Sequence, residues 1–254
     1  MKRYILMALA AMSFGLSGIA QADETVSVKV GYMVLSPSGQ FGATAGGPLI
    51  ATNKIDLETD LGFKNSKQPT GEVAFQLGDS RLSFGYVPLT FDGTGSLNRN
   101  ITYNGQPISA TVPVSSSFKA DIYDIGYTYY LVNMDDLPSR AQLGVEASVK
   151  VVKAKTSITQ GATNAAKDVT VPIPTIGLRA RIALADFIGV TGRVGYLGYS
   201  GNSYLDADAQ IEFSPVPTLG IYAGYRQIKL KVDSSNVFVD TTFQGPYAGA
   251  FFRF

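Results

Sequence analysis

The sequence has no cysteine, no histidine and no tryptophan. Without cysteine there is no disulfide, no zinc–thiolate site, no thiol nucleophile and no lipidated N-terminal cysteine. The missing histidine removes the commonest general base, the commonest metal ligand and any Ser-His triad. Charge is also scarce. Asp, Glu, Lys and Arg make up 16% of the 254 residues, against about 25% in soluble globular domains. The formal charge is +1. Setting aside Lys2 and Arg3 of the 21 basic residues leaves 19 against 20 acidic ones, a net of −1. That balance offers no electrostatic footprint for nucleic acid.

Lys2 and Arg3 precede an apolar stretch, Tyr4 to Met12, which continues loosely through Phe14, Leu16 and Ile19 to Ala20-Gln21-Ala22. A positive start, a short apolar run and an A-x-A site describe a secretory signal peptide over residues 1–22, with a mature domain over 23–254. No later apolar run is long enough for a transmembrane helix. A membrane-embedded mature chain therefore has to be a closed β-barrel.

What the mature chain does have is period two. Val26, Val28, Val30, Tyr32 and Val34 share one parity, opposite Ser27, Lys29, Gly31 and Met33. Ile125, Tyr127, Tyr129 and Leu131 behave alike, as do Leu143 to Val151, Ile176 to Leu184 and Leu205 to Phe213. Long strands with small and charged residues on the second face predict an all-β, transmembrane, antiparallel up-and-down barrel. Ten strands are expected: 26–35, 70–77, 81–92, 117–132, 140–155, 171–185, 188–199, 203–214, 218–232 and 241–254. Eight or twelve also satisfy parity. Tight turns are expected at 78–80, 133–139, 185–186 and 214–217, and longer links at 36–53, 98–116, 159–170 and 233–240. Ile55 to Phe63 fits either a strand extension or a loop hairpin. Tyr32, Phe84, Tyr86, Tyr129, Tyr130, Phe187, Tyr196 and Tyr199 fall near strand ends, as an interfacial aromatic girdle requires.

The chain closes on Phe252, Arg253 and Phe254. A terminal aromatic on an alternating strand looks like the signal read by the barrel assembly machinery, so Phe252 and Phe254 are its candidate residues. The mature chain resembles small proteobacterial outer-membrane barrels of the outer membrane protein W and outer membrane protein A transmembrane-domain type. Ile55-Asp56-Leu57-Glu58-Thr59-Asp60-Leu61-Gly62 and the stretch from Phe91 to Ile101 are closer to a group of uncharacterised barrels. The resemblance implies an outer-membrane barrel, and it brings no catalytic residue, metal or cofactor. It departs from outer membrane protein W barrels in having no tryptophan and more strands.

A charge on the lipid face near the midplane costs about 2–4 kcal/mol. The charged parity must therefore face the lumen. That rule places Lys29, Glu72, Asp124, Glu146, Lys150, Arg179, Arg181, Arg193, Asp206, Asp208, Glu212, Arg226 and Arg253 inside. Opposite signs on neighbouring strands, such as Arg193 with Asp206 and Asp208, should pair. A narrow barrel filled by such pairs is a structural or narrow-channel protein. An open ladder of Arg179, Arg181, Arg193 and Arg226 would instead attract anions. Lys119, Asp121, Lys153, Lys155, Lys229 and Lys231 fall on the outward parity and belong above the bilayer, beside lipid and lipopolysaccharide phosphates. The alternative is binding through the outer loops, as in adhesion, phage or lipopolysaccharide contact, and a lipid-modifying enzyme is the less favoured third reading. Asp56, Glu58 and Asp60 are the one carboxylate cluster with any capacity for acid–base work or cation binding. Its ordinary reading is a solvated acidic face, and no nucleophile–base pair is visible, so the chain reads as a monomer without enzymatic activity.

Overall fold

The structure is a computed structural model describing residues 24–43, 54–134, 140–216, 218–233 and 237–254. The expected signal segment lies outside the described residues. Ten long strands form the wall: β1 (Glu24–Ala43), β3 (Ser66–Leu77), β4 (Ser80–Ser96), β7 (Pro113–Asn133), β8 (Ala141–Gln160), β9 (Thr163–Ala185), β10 (Ile188–Tyr199), β11 (Asn202–Val216), β12 (Leu219–Asp233) and β13 (Val237–Arg253). Each pairs antiparallel with the next, and β13 returns to β1 in register Val28↔Phe252 and Tyr32↔Ala248, closing an up-and-down barrel. Three short strands lie outside this sequence: β2 (Ile55–Asp56) on the upper edge of β1, and the hairpin of β5 (Ile101–Tyr103) and β6 (Gln106–Ile108).

Glu24, Phe254 and the turns at 78–79 and 186–187 lie at one end of the barrel, the turn end. The segments 54–65 and 97–112 lie at the other, the loop end. The strands run further toward the loop end than the sequence pattern suggests. Residues 159–170, expected as a long link, are strand up to Gln160 and again from Thr163, joined through Gly161 at φ 56° and Ala162. A strand needs about 9–11 residues to cross a bilayer. With 20 residues in β8 and 23 in β9, that hairpin stands well clear of it.

The outer wall carries a band of exposed apolar side chains. Ile176 is 70% exposed, Tyr32 and Leu184 67%, Ile221 60% and Ile211 59%. Water does not tolerate so large a continuous apolar patch, and lipid does. Tyr32, Phe84, Tyr86, Tyr129, Phe187, Tyr196 and Tyr199 are on this outer surface. Tyr130 is not part of that girdle. It points into the lumen and is buried, because it shares parity with Asp124 and Thr128.

Above the band the two faces exchange character. On β7, β8 and β12 the outward residues become Lys119, Asp121, Lys153, Lys155, Lys229 and Lys231, while the inward ones become Ala120, Ile122, Val152, Ala154, Ile228 and Leu230. Phe91, Phe118 and Phe243 stack inside this upper storey at centroid distances of 5.4–6.3 Å.

Lower down, rings lie flat against strands that lack side chains. The Tyr222 hydroxyl sits where a Cβ on Gly31 or Gly249 would come within 2.6 Å of it, and the backbone carbonyls of Ala248 and Val30 are nearer still. Gly249→Val should therefore lift Tyr222 and part β1 from β13 at the closing seam, at a cost of about 1–3 kcal/mol or more. The urea midpoint of the folded, heat-modifiable band on a gel measures this. An unchanged midpoint contradicts the packing described.

Candidate functional site

The lumen between the membrane-facing walls is filled by ion pairs. Arg193 on β10 is its centre. Its guanidinium meets Asp124 at 2.9 Å, Asp208 at 3.0 Å, Asp206 at 3.5 Å and Glu146 at 3.7 Å. Asp206 also receives the Arg226 guanidinium at 2.7 Å and the Lys150 ammonium at 3.1 Å, and Lys150 reaches Asp124 at 2.6 Å. Arg179 donates to Glu146 at 2.7 Å and lies 3.9 Å from Glu72, which accepts from Arg81 at 2.8 Å. Toward the turn end Glu212 gathers Lys29 at 2.9 Å, Arg181 at 3.7 Å and Arg253. The two halves are tied by Tyr247, whose hydroxyl donates to Asp208 and Gln210, and by Gln210, which donates to Glu212 at 2.6 Å.

All thirteen charges assigned to the lumen by parity are thus brought together in one connected set, joined by Arg81 and Tyr247. Lys150 and Asp206 are only 1% exposed. Such burial is tolerable because Asp124, Asp206 and Glu212 each accept from two or more cations, and such bonds repay desolvation only when geometry is good. The arginines do not form a free ladder. Arg193, Arg226 and Arg179 are each held by carboxylates, and the space left among Glu72, Asp124, Arg193 and Arg226 is about 70 Å³, room for a handful of waters. Arg181 and Arg253 instead border a wider vestibule of about 430 Å³ at the turn end, with Arg81 and Arg140.

Asp56, Glu58 and Asp60 do not share a strand face. After β2 the chain coils, with Leu61 and Gly62 donating backbone hydrogen bonds to Asp56 and Glu58. The Asp56 carboxylate accepts from the backbone of Glu58 and Thr59, and Asp60 accepts from the Asp56 backbone and from Arg99 at 3.0 Å. These carboxylates cap a turn. Among the described residues no group of acidic side chains is arranged to hold a metal. The turn lies flush on β4 because Gly93 and Gly95 have no Cβ to meet the carbonyls of Leu61 and Asp60. The stretches 55–62 and 91–101 are therefore one packing unit. It folds Ile55, Leu57, Leu61 and Phe63 inward over the barrel mouth.

Parity identified the charges and overlooked what lies above them. The inward residue one step toward the loop end from Asp124 is Ile122, from Lys150 Val152, from Asp206 Tyr204 and from Arg226 Ile228. These four border an apolar cavity of about 330 Å³. The readable signal was the outward lysines themselves. Where charge moves to the outer parity, the inner parity is left apolar. Phe252 and Phe254 both face outward, their rings 4.8 Å apart.

Arg193→Ala should cost about 3–5 kcal/mol, since four carboxylates lose their shared cation in a buried site. Arg193→Lys should recover part of that, because one ammonium cannot span them all. Thermal unfolding in detergent tests both. A loss below about 1 kcal/mol for the alanine variant contradicts a central role for this guanidinium.

The outer membrane protease OmpT of Escherichia coli superposes on the barrel with a TM-score of 0.63 at 11% identity, over 91% of this chain and 97% of that one. Ail, the attachment invasion locus protein of Yersinia pestis, matches at TM-score 0.39 and 11% identity, over 92% and 100%. The toluene transporter TodX of Pseudomonas putida matches at 0.27 and 10%, over 96% and 91%. No protein-family model and no curated protein matches the sequence. The likeness to OmpT is one of fold, and with the closed strand order and the apolar outer band it makes this chain a membrane-spanning β-barrel of the outer-membrane type.

Proposed function

We propose that the chain is a monomeric, non-catalytic barrel of the Gram-negative outer membrane, with a lumen closed to ions by its salt-bridged layer. The Arg193 cluster carries this reading: four carboxylates and three further cations, Lys150, Arg179 and Arg226, meet around Arg193 in the lumen, and the space left beside them is about 70 Å³. In the usual orientation the turn end faces the periplasm and the loop end the outside. Lys119, Lys153, Lys155, Lys229 and Lys231 then meet the phosphates of lipid and lipopolysaccharide, and Phe252 and Phe254 present the assembly signal on the outer face of the last strand.

Two features support the absence of catalysis. The chain has no histidine. Among the described residues the buried carboxylates are each engaged by cations, and neither a carboxylate poised for proton transfer nor an activated nucleophile is in view. The test is conductance of the refolded barrel, residues 23–254, in a planar bilayer, alongside hydrolysis of casein and of phospholipid. Silence in all three is expected from protein whose folded state is confirmed by its gel shift. Discrete current steps overturn the closed lumen, and hydrolysis that scales with folded protein overturns the non-catalytic reading.

A further inference from the structure

Above the salt-bridged layer the barrel has the organisation of a water-soluble ligand-binding barrel, charged outside and apolar within. The cavity there, about 330 Å³, has Phe41, Phe118, Ile122, Val152, Ile228 and Phe243 among its walls, and Leu57 of the inward-folded turn borders it. Its volume falls in the range of small-molecule sites, as does its mainly apolar lining. One polar group stands apart. Tyr204 borders the cavity, is 3% exposed, and its hydroxyl has no hydrogen-bond partner. Burying a hydroxyl unpaired costs about 1–3 kcal/mol. The other phenol at the wall, Tyr103, is bonded to Thr156.

From this geometry we propose that the loop-end cavity binds a small, largely apolar molecule carrying one hydroxyl or carbonyl oxygen, which completes the hydrogen bonding of Tyr204. The apolar body fills the space between the phenylalanines and the aliphatic walls. The single oxygen points down to Tyr204, one step above Asp206 on β11. The salt-bridged layer beneath makes the site a blind cup. Apart from Tyr103, Tyr204, Lys167, Thr156 and Thr241 the lining is apolar, and a charged ligand would lose its hydration against it, so the occupant is neutral.

The probes are 1-naphthol and naphthalene, which differ by one oxygen, titrated into the refolded barrel in detergent. The protein has no tryptophan, so probe emission is read without tryptophan overlap and after subtraction of the tyrosine signal of the unliganded barrel. Micelles take up both probes, so the reference is the barrel with its cavity filled by Ala120→Phe or, separately, Ala154→Phe, in the same detergent. The expected result is saturable naphthol binding by the native barrel, absent from both filled variants. Tyr204→Phe should weaken naphthol about fivefold, the worth of one hydrogen bond, and leave naphthalene within twofold. Gel shift confirms folding of each variant, and either filled variant alone suffices as reference. Equal uptake by native and filled barrels overturns the site. Equal loss of both probes in Tyr204→Phe, or no loss of either, overturns the assigned hydrogen bond.

Discussion

A guanidinium at the centre of a membrane-embedded barrel is tolerable only if carboxylates surround it, and Arg193 is the point on which this lumen converges. Removing a charge from water costs several kcal/mol per ion. Asp124, Glu146, Asp206 and Asp208 come from three different strands, β7, β8 and β11, and all reach the one side chain on β10. Strand register must hold within one residue for this to happen, because a single slip would turn every one of these charges toward lipid. The ion pairs therefore specify the pairing of the wall as well as filling it.

Filling a ten-stranded lumen takes more than charge. Aromatic side chains reach across where salt bridges do not, and they do so over glycines. Tyr222 rests over Gly31 and Gly249, and Tyr247 over Gly224. Tyr247 then adds its hydroxyl to the Asp208–Gln210 chain. The same device recurs at the mouth, where Gly93 and Gly95 let the 60–62 turn lie on β4. Small residues on the inward parity are thus positions where another part of the chain comes close, and they are as informative about the fill as the charged residues are.

The barrel, its strand number and its inward charges were legible in the sequence because lipid imposes a strict alternation. Val26 to Val34 and Leu143 to Val151 leave no second reading. Legibility fades where lipid ends. Residues 159–170 look like a polar link because water accepts Asn164 and Asp168 on the outer strand face, so alternation weakens although the hairpin continues. Ile55 to Phe63 fails in the opposite way. Its alternation of Ile55, Leu57 and Leu61 with Asp56, Glu58 and Asp60 imitates a strand, whereas the Asp56 carboxylate, by accepting from the Glu58 and Thr59 backbone, turns it into a coil. Local side chain–backbone bonding of this kind competes with strand pairing and is not visible in periodicity.

The inversion of polarity along the wall follows from the same rule that buries Arg193. At each height the outside medium decides which parity bears charge. Beside lipid the outer parity must be apolar, so every charge is forced into the lumen, where each needs a partner and the lumen closes. Beside water the outer parity takes the charges, as at Lys153 and Lys229, and the inner parity is released from carrying them. Apolar side chains that meet across the barrel where Phe91, Phe118 and Phe243 stack leave a space beside them, and its height is fixed by where the lipid stops. The closed layer and the open cup are therefore two consequences of one boundary, which crosses the wall between Asp124 and Ile122 on β7 and between Lys150 and Val152 on β8.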